Sequence, residues 1–172
     1  FLYQVAFCAG YYLGFNRKPR FIVESKVDAN IFPEFSDNSL PPNLSVVIPC
    51  YNDGEYLEEA ISSVEQFPNR SVYEIIIIDD GCTDEKTLDV YNSLREQAYN
   101  ILFPGKVGKC VARNLGISNA KGKYILTLDA DNLIEWKFIR KALWMFNHNN
   151  KLGVVYGNSK WFGEEEKDHF VG

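Results

Sequence analysis

Histidine is scarce in this chain: His148 and His169 are its two copies among 172 residues. A His-built metal cage is therefore all but excluded. The four cysteines, Cys8, Cys50, Cys82 and Cys110, form no CxxC pair and have no histidine beside them. That removes a zinc site. A disulfide framework sits badly with so apolar a chain, so the thiols read as reduced, buried or half-buried, in a reducing compartment. Basic residues are the minority, 18 Lys and Arg against 23 Asp and Glu, for a net charge of −5. No general nucleic-acid binder is expected from that balance. No GxGxxG follows either early strand, which disfavours a dinucleotide fold. Gly108-Lys109-Cys110 looks like the end of a P-loop, but Phe103 stands where the first glycine is required and Cys110 where Ser or Thr is. A cleavable signal peptide is also missing: there is no basic start and no small-residue cleavage site.

What is present is core material. Hydrophobic residues make up 46% and charged residues 24%, with 12 Phe, 10 Tyr and 3 Trp. This is one globular domain, or one domain with an appendage. The chain starts at Phe1 and stops at Gly172, and it reads as an excerpt of a longer protein. Residues 1–43 form an N-terminal helix-like segment and a linker rich in proline (Pro33, Pro41, Pro42). Phe1 to Phe15 has two readings. One is a helix packing on another part of the protein. The other is the tail of a membrane span with a basic cytoplasmic flank, Arg17-Lys18-Pro19-Arg20. Fifteen helical residues reach about 22 Å, short of the roughly 30 Å hydrocarbon core.

From Leu44 the pattern alternates. Ser45 to Ile48 is a short apolar run, and Leu57, Ala60, Ile61 and Val64 mark a helix face. Ile75 to Ile78 is a second strand, whose four β-branched residues suit burial on both faces of a parallel sheet. Thr83 or Asp84 caps a helix carrying Leu88, Tyr91, Leu94 and Ala98. Ile101 to Phe103 is a third strand, and Val111 to Ala120 a helix stopping at Gly122. Tyr124 to Leu128, Trp136 to Phe146 and Val154 to Tyr156 complete the series as strand, helix and strand. The fold class is α/β: an open, mostly parallel sheet with flanking helices.

Such sheets bind ligands outside the carboxyl ends of their strands. Three polar clusters sit there: Pro49-Cys50-Tyr51-Asn52-Asp53, Asp79-Asp80-Gly81-Cys82-Thr83-Asp84 and Asp129-Ala130-Asp131-Asn132. If extended geometry persists past the fourth strand, Asp129 and Asp131 point the same way. Paired hard oxygens suit Mg²⁺ or Mn²⁺ that share their charge with substrate phosphates. Without a bridging cation this acidic rim would repel phosphate. Gly105, Lys106, Gly108 and Lys109 form a cationic loop before a helix that carries Arg113.

Ser45 to Asn52 with the acid-rich second strand, Ala112-Arg113-Asn114-Leu115-Gly116 and Leu128-Asp129-Ala130-Asp131 together resemble glycosyltransferase family 2, of the GT-A type nucleotide-diphospho-sugar transferase fold. The resemblance covers about 44–157, the donor-binding part. It implies inverting transfer from a nucleotide-diphosphate sugar, most often a UDP-sugar, to a glycan or lipid-linked acceptor hydroxyl. Pro49 and Tyr51 would frame the base, and Asp80 would accept from its edge, with Asn52, Asp79 and Ala130 in the same pocket. Arg113 would lie near the base or diphosphate. Asp129 would face ribose or sugar, and Asp131, with Asp129, would hold the metal, Mn²⁺ or Mg²⁺. Cys82 replaces the serine of the family's acidic motif, which removes a hydroxyl hydrogen bond. The family's general base lies beyond the fifth strand, so the catalytic base is expected past residue 172. Glu164 to Glu166 reads as a solvated charge run, and the chain by itself is expected to bind nucleotide without transferring sugar. The expected location is cytoplasmic, at the cytoplasmic face of a membrane if the N-terminus associates with one.

Two other classes compete. A non-catalytic nucleotide-sugar-binding relative would share the donor site and lack the base. A phosphoacceptor signalling domain would explain Asp79-Asp80 and Asp129, but its acid pair ends the first strand. Here Ser45 to Ile48 already precedes, and Asp131 is left unexplained.

Overall fold

A computed structural model describes residues 4–7, 20–24, 43–162 and 167–169. Six parallel strands form the main sheet. They are β1 (Gln4–Phe7), β3 (Leu44–Cys50), β4 (Tyr73–Asp79), β5 (Asn100–Leu102), β6 (Tyr124–Thr127) and β8 (Val154–Tyr156). Their order across the sheet is β5-β4-β3-β6-β1-β8. A smaller mixed sheet has the order β10-β9-β2-β7, from β2 (Arg20–Glu24), β7 (Leu133–Ile134), β9 (Asn158–Phe162) and β10 (Lys167–His169). The helices are α1 (Gly54–Glu65), α2 (Glu85–Glu96), α3 (Lys109–Asn119) and α4 (Trp136–His148).

The period of two sorts the strands' side chains. Val46, Ile48, Ile75 and Ile77 join the core under α1, α2 and α4, with Leu57, Ile61, Tyr91, Leu94, Phe138 and Leu143. Val47, Ile76 and Ile78 turn to the other face and meet Ala112 of α3 and Ile125. The isoleucine run is thus buried on both faces, as four consecutive β-branched residues require. Pro49 is tolerated inside β3 because pairing with β6 ends at Val47 and Thr127, so its missing N–H breaks no ladder bond on that side.

Gly116 sets how closely α3 approaches the sheet. A Cβ there would lie 2.4 Å from Val47 Cγ1 and 2.7 Å from Ile78 Cδ1. Gly116→Ala should therefore lower stability by about 1–2 kcal/mol, overpacking outweighing the better helix propensity of alanine. Urea unfolding with an unchanged slope and a lower midpoint would show it. An unchanged midpoint would mean that α3 moves off the sheet at no cost.

The N-terminal helix expectation is corrected where the chain is described. Gln4–Phe7 is a strand between β6 and β8, with Val5 opposite Ile125 on one side and Val154 on the other. Non-local pairing in the slot between two parallel strands overrides the local helical pattern. Residues 28–42 of the linker lie outside the described residues. Among the described residues, no helix is long and apolar enough to cross a membrane.

Candidate functional site

The carboxyl ends of β3, β4 and β6 lie side by side because these strands are adjacent and parallel. The Asp80 amide donates to the Cys50 carbonyl at 2.9 Å and extends the β3–β4 ladder beyond the last paired residues. Asn52 turns the chain with φ 55°. Its Oδ1 accepts from the amides of Thr83 at 2.9 Å and Asp84 at 3.2 Å, locking the first two loops together. Asp84 caps α2 by accepting from the Thr87 amide at 2.9 Å. That bond, followed by the one from the Thr87 hydroxyl, lowers its carboxyl below the ordinary value.

Asp79 accepts from the Cys82 amide at 2.8 Å and closes the tight turn after β4. Cys82 is itself hydrogen-bonded: its sulfur accepts from the Asn52 amide at 3.2 Å and lies 3.3 Å from the Tyr91 hydroxyl. Hydrogen bonding to Cys50, then burial, pushes the Cys82 thiol up, so it holds its proton. Cys50 is buried and Cys82 half-buried, as expected, but Cys110 on the first turn of α3 is exposed. Cys8 lies outside the described residues.

Asp80 is 4% exposed. Its Oδ1 accepts from the amides of Val107 at 2.8 Å and Gly108 at 2.6 Å, and the Lys106 ammonium lies 3.9 Å from Oδ2. Burial of a carboxylate is sustained by such donors. Asp80 therefore organises the cationic loop, a role the sequence did not indicate. Tyr51, by contrast, is 44% exposed and presents its ring at the rim.

The acidic doublet also differs from expectation. Strand β6 ends at Thr127, and the Asn132 amide donates to the Asp129 carbonyl at 3.0 Å, closing a turn. Strand alternation therefore does not align Asp129 with Asp131, because the backbone bends between them. Asp129 is clasped by two cations, Lys109 Nζ at 2.7 Å on Oδ2 and Arg113 Nη2 at 2.5 Å on Oδ1. Lys109 and Arg113 are four apart on α3, hence on one helix face. Lys109 stood out in the sequence only as a loop cation, and its pairing with Asp129 was missed. Arg113 Nε is buried without a partner. Ala130 is 2% exposed and packs into the core beneath the turn, and Asp131 is half-buried.

Among the described residues, no three His, Cys, Asp or Glu side chains converge on one point that could hold a metal. The oxygen donors at this end of β6 are Asp129 and Asp131. They are hard ligands of the kind Mg²⁺ and Mn²⁺ take, one or two in number, with the remaining positions left to water or phosphate. Glu164 to Glu166 lie outside the described residues.

Residues 45–171 match the family model described as glycosyl transferase family 2. Among curated proteins, the chain is 32% identical over 127 residues to glycosyltransferase GlyG of Streptococcus pneumoniae, covering 73% of this chain and 41% of that protein. It is 29% identical over 150 residues to poly-beta-1,6-N-acetyl-D-glucosamine synthase of Staphylococcus aureus, covering 87% and 34%. The chain thus spans less than half the length of these relatives. Among solved structures, S. aureus TarS 1-349 in complex with UDP-GlcNAc aligns with a TM-score of 0.53 and 24% identity over 63% of this chain and 32% of that one. The mannosyltransferase PcManGT of Pyrobaculum calidifontis, in complex with GDP-Man and Mn²⁺, aligns with a TM-score of 0.54 and 20% identity over 67% and 35%. These two likenesses show the GT-A fold.

Proposed function

The chain belongs to glycosyl transferase family 2, and from that premise we propose that it supplies the donor site of an enzyme moving a sugar from a nucleotide diphosphate, UDP first among candidates, to an acceptor hydroxyl with inversion. The observation that carries this reading is the meeting, at adjacent strand ends, of an exposed aromatic ring (Tyr51), a buried carboxylate (Asp80) and the Lys109–Asp129–Arg113 cluster. An aromatic face suits a base, a carboxylate suits the N–H on a base edge, and two cations suit a diphosphate. UDP-GlcNAc in TarS and the curated poly-N-acetylglucosamine synthase favour a UDP-sugar donor and a glycan acceptor.

Tyr51 would carry the base with Pro49 beneath it. Asn52, Asp79 and Ala130 would act by shaping the loops, since their side chains are engaged with backbone or core. Arg113 and Lys109 would turn from Asp129 toward the diphosphate as it arrives. Their charge would then favour departure of the nucleotide while the acceptor oxygen attacks the opposite face of the anomeric carbon. Asp131, with Asp129 once released, would hold Mg²⁺ or Mn²⁺, whose chemistry when bound is to offset charge on the leaving diphosphate. No described side chain is assigned the part of general base.

Calorimetry tests the reading. UDP should bind at least tenfold more tightly with Mn²⁺ or Mg²⁺ than with EDTA, because Asp129 and Asp131 otherwise oppose a second anion. Equal affinity in both conditions would remove the metal. No binding in either would remove the donor site and favour another function for the fold.

A further inference from the structure

Lys106 is held where the donor's base would go. Its ammonium lies 2.9 Å from the centroid of the Tyr51 ring and 3.9 Å from Asp80 Oδ2. The other oxygen of Asp80 is already taken by the Val107 and Gly108 amides. One cation thus covers both features a base would use, the aromatic face and the remaining carboxylate lobe. The loop that carries it is seated closely: a Cβ on Gly81, whose φ is 77°, would fall 2.8 Å from the Lys106 amide nitrogen. Gly105 and Gly108, with φ of 78° and 89°, stand on either side of Lys106 and have open space around them. The lysine side chain itself is 56% exposed, so it can leave without unpacking the core.

Resting on the reading of Tyr51 and Asp80 as the base pocket, we infer that Lys106 is a specificity-determining plug. It occupies the base site in the free protein and yields it only to a ligand that offers phosphate in return. The physical chemistry is an exchange. An ammonium over a ring and beside a carboxylate is held by two modest attractions, both lost when a base enters. A nucleoside gives nothing back for the displaced charge, whereas a nucleoside diphosphate provides a stronger, doubly anionic partner. The apparent affinity of any ligand is reduced by the fraction of molecules in which the plug is closed. Lys106 therefore sharpens discrimination between UDP and uridine without touching the reacting atoms.

The test compares UDP and uridine binding, by calorimetry with Mn²⁺ present, in the wild-type protein, Lys106→Ala and Lys106→Arg. Lys106→Ala should bind uridine about threefold more tightly, because the closed state is gone. It should bind UDP about tenfold more weakly, because the diphosphate loses a charged partner. Lys106→Arg should restore the wild-type ratio. Circular dichroism checks that both variants are folded, which an exposed substitution permits. If Lys106→Ala shifts both ligands equally, or neither, while the wild type binds UDP, the plug is overturned and the donor-site reading stands. If the wild type binds neither ligand, both fall together.

Discussion

Asp80→Ala is expected to weaken UDP binding by about 2 kcal/mol, roughly thirtyfold in Kd, while Asp80→Asn loses clearly less. The difference follows from what each oxygen does. Oδ1 accepts two amides, at 2.8 and 2.6 Å, from the loop that precedes α3. Asparagine keeps an oxygen for those amides but loses the charge beside Lys106 and the acceptor for the base edge, a loss that alanine shares. Alanine leaves two N–H groups of a half-buried loop without their acceptor, and the loop loses its anchor to β4. Hydrogen exchange at Val107 and Gly108 separates the two effects: faster in Asp80→Ala, near wild type in Asp80→Asn. If the two variants weaken UDP equally with the loop protected in both, the carboxylate acts on the base alone and its loop role is incidental.

The contrast between what the sequence announced and what it hid follows the range of the interactions. Ile75 to Ile78 could be read as a doubly buried strand because the signal is local and repeated in four residues. The strand-end rule then pointed to the candidate site without any knowledge of side-chain partners. Partners were another matter. Asp80 reaches Val107 and Gly108 across 27 and 28 residues, and Asn52 reaches Thr83 across 31. Both were expected to face the ligand; Asn52 spends its Oδ1, and Asp80 one of its two carboxylate oxygens, on backbone amides. Such bonds depend on which strand lies beside which, and on the loop each strand feeds, neither of which a residue pattern encodes. The same holds for Gln4–Phe7, whose strand state comes from β6 and β8, well over a hundred residues on. Asp129 shows the opposite limit. Its importance was plain from its place after β6, but the turn at Asp129 to Asn132 defeats the alternation that made a pair of it and Asp131.

Arg113→Ala should cost about 1–2 kcal/mol of folding stability, and the double variant Arg113→Ala with Asp129→Ala should recover most of it. Side chains of Arg113 and Asp129 are 29% and 15% exposed, so the pair is partly dry. Removing one member of such a pair leaves the other charge desolvated, and that penalty is larger than the pair's net worth. Lys109 still holds the second oxygen of Asp129, which keeps the loss below that of a fully buried ion pair. Removing the carboxylate as well abolishes the penalty, and stability returns. Donor binding should behave differently. If Arg113 serves the diphosphate, its loss weakens UDP by about 1.5–3 kcal/mol, the usual worth of a charge-assisted hydrogen bond, and the second substitution cannot restore a donor that is gone. Chemical denaturation and UDP calorimetry on the three proteins therefore diverge: stability is rescued and affinity is not. Should affinity recover together with stability, Arg113 is a strut for the Asp129 turn, and the cation that meets the diphosphate must be sought in Lys109.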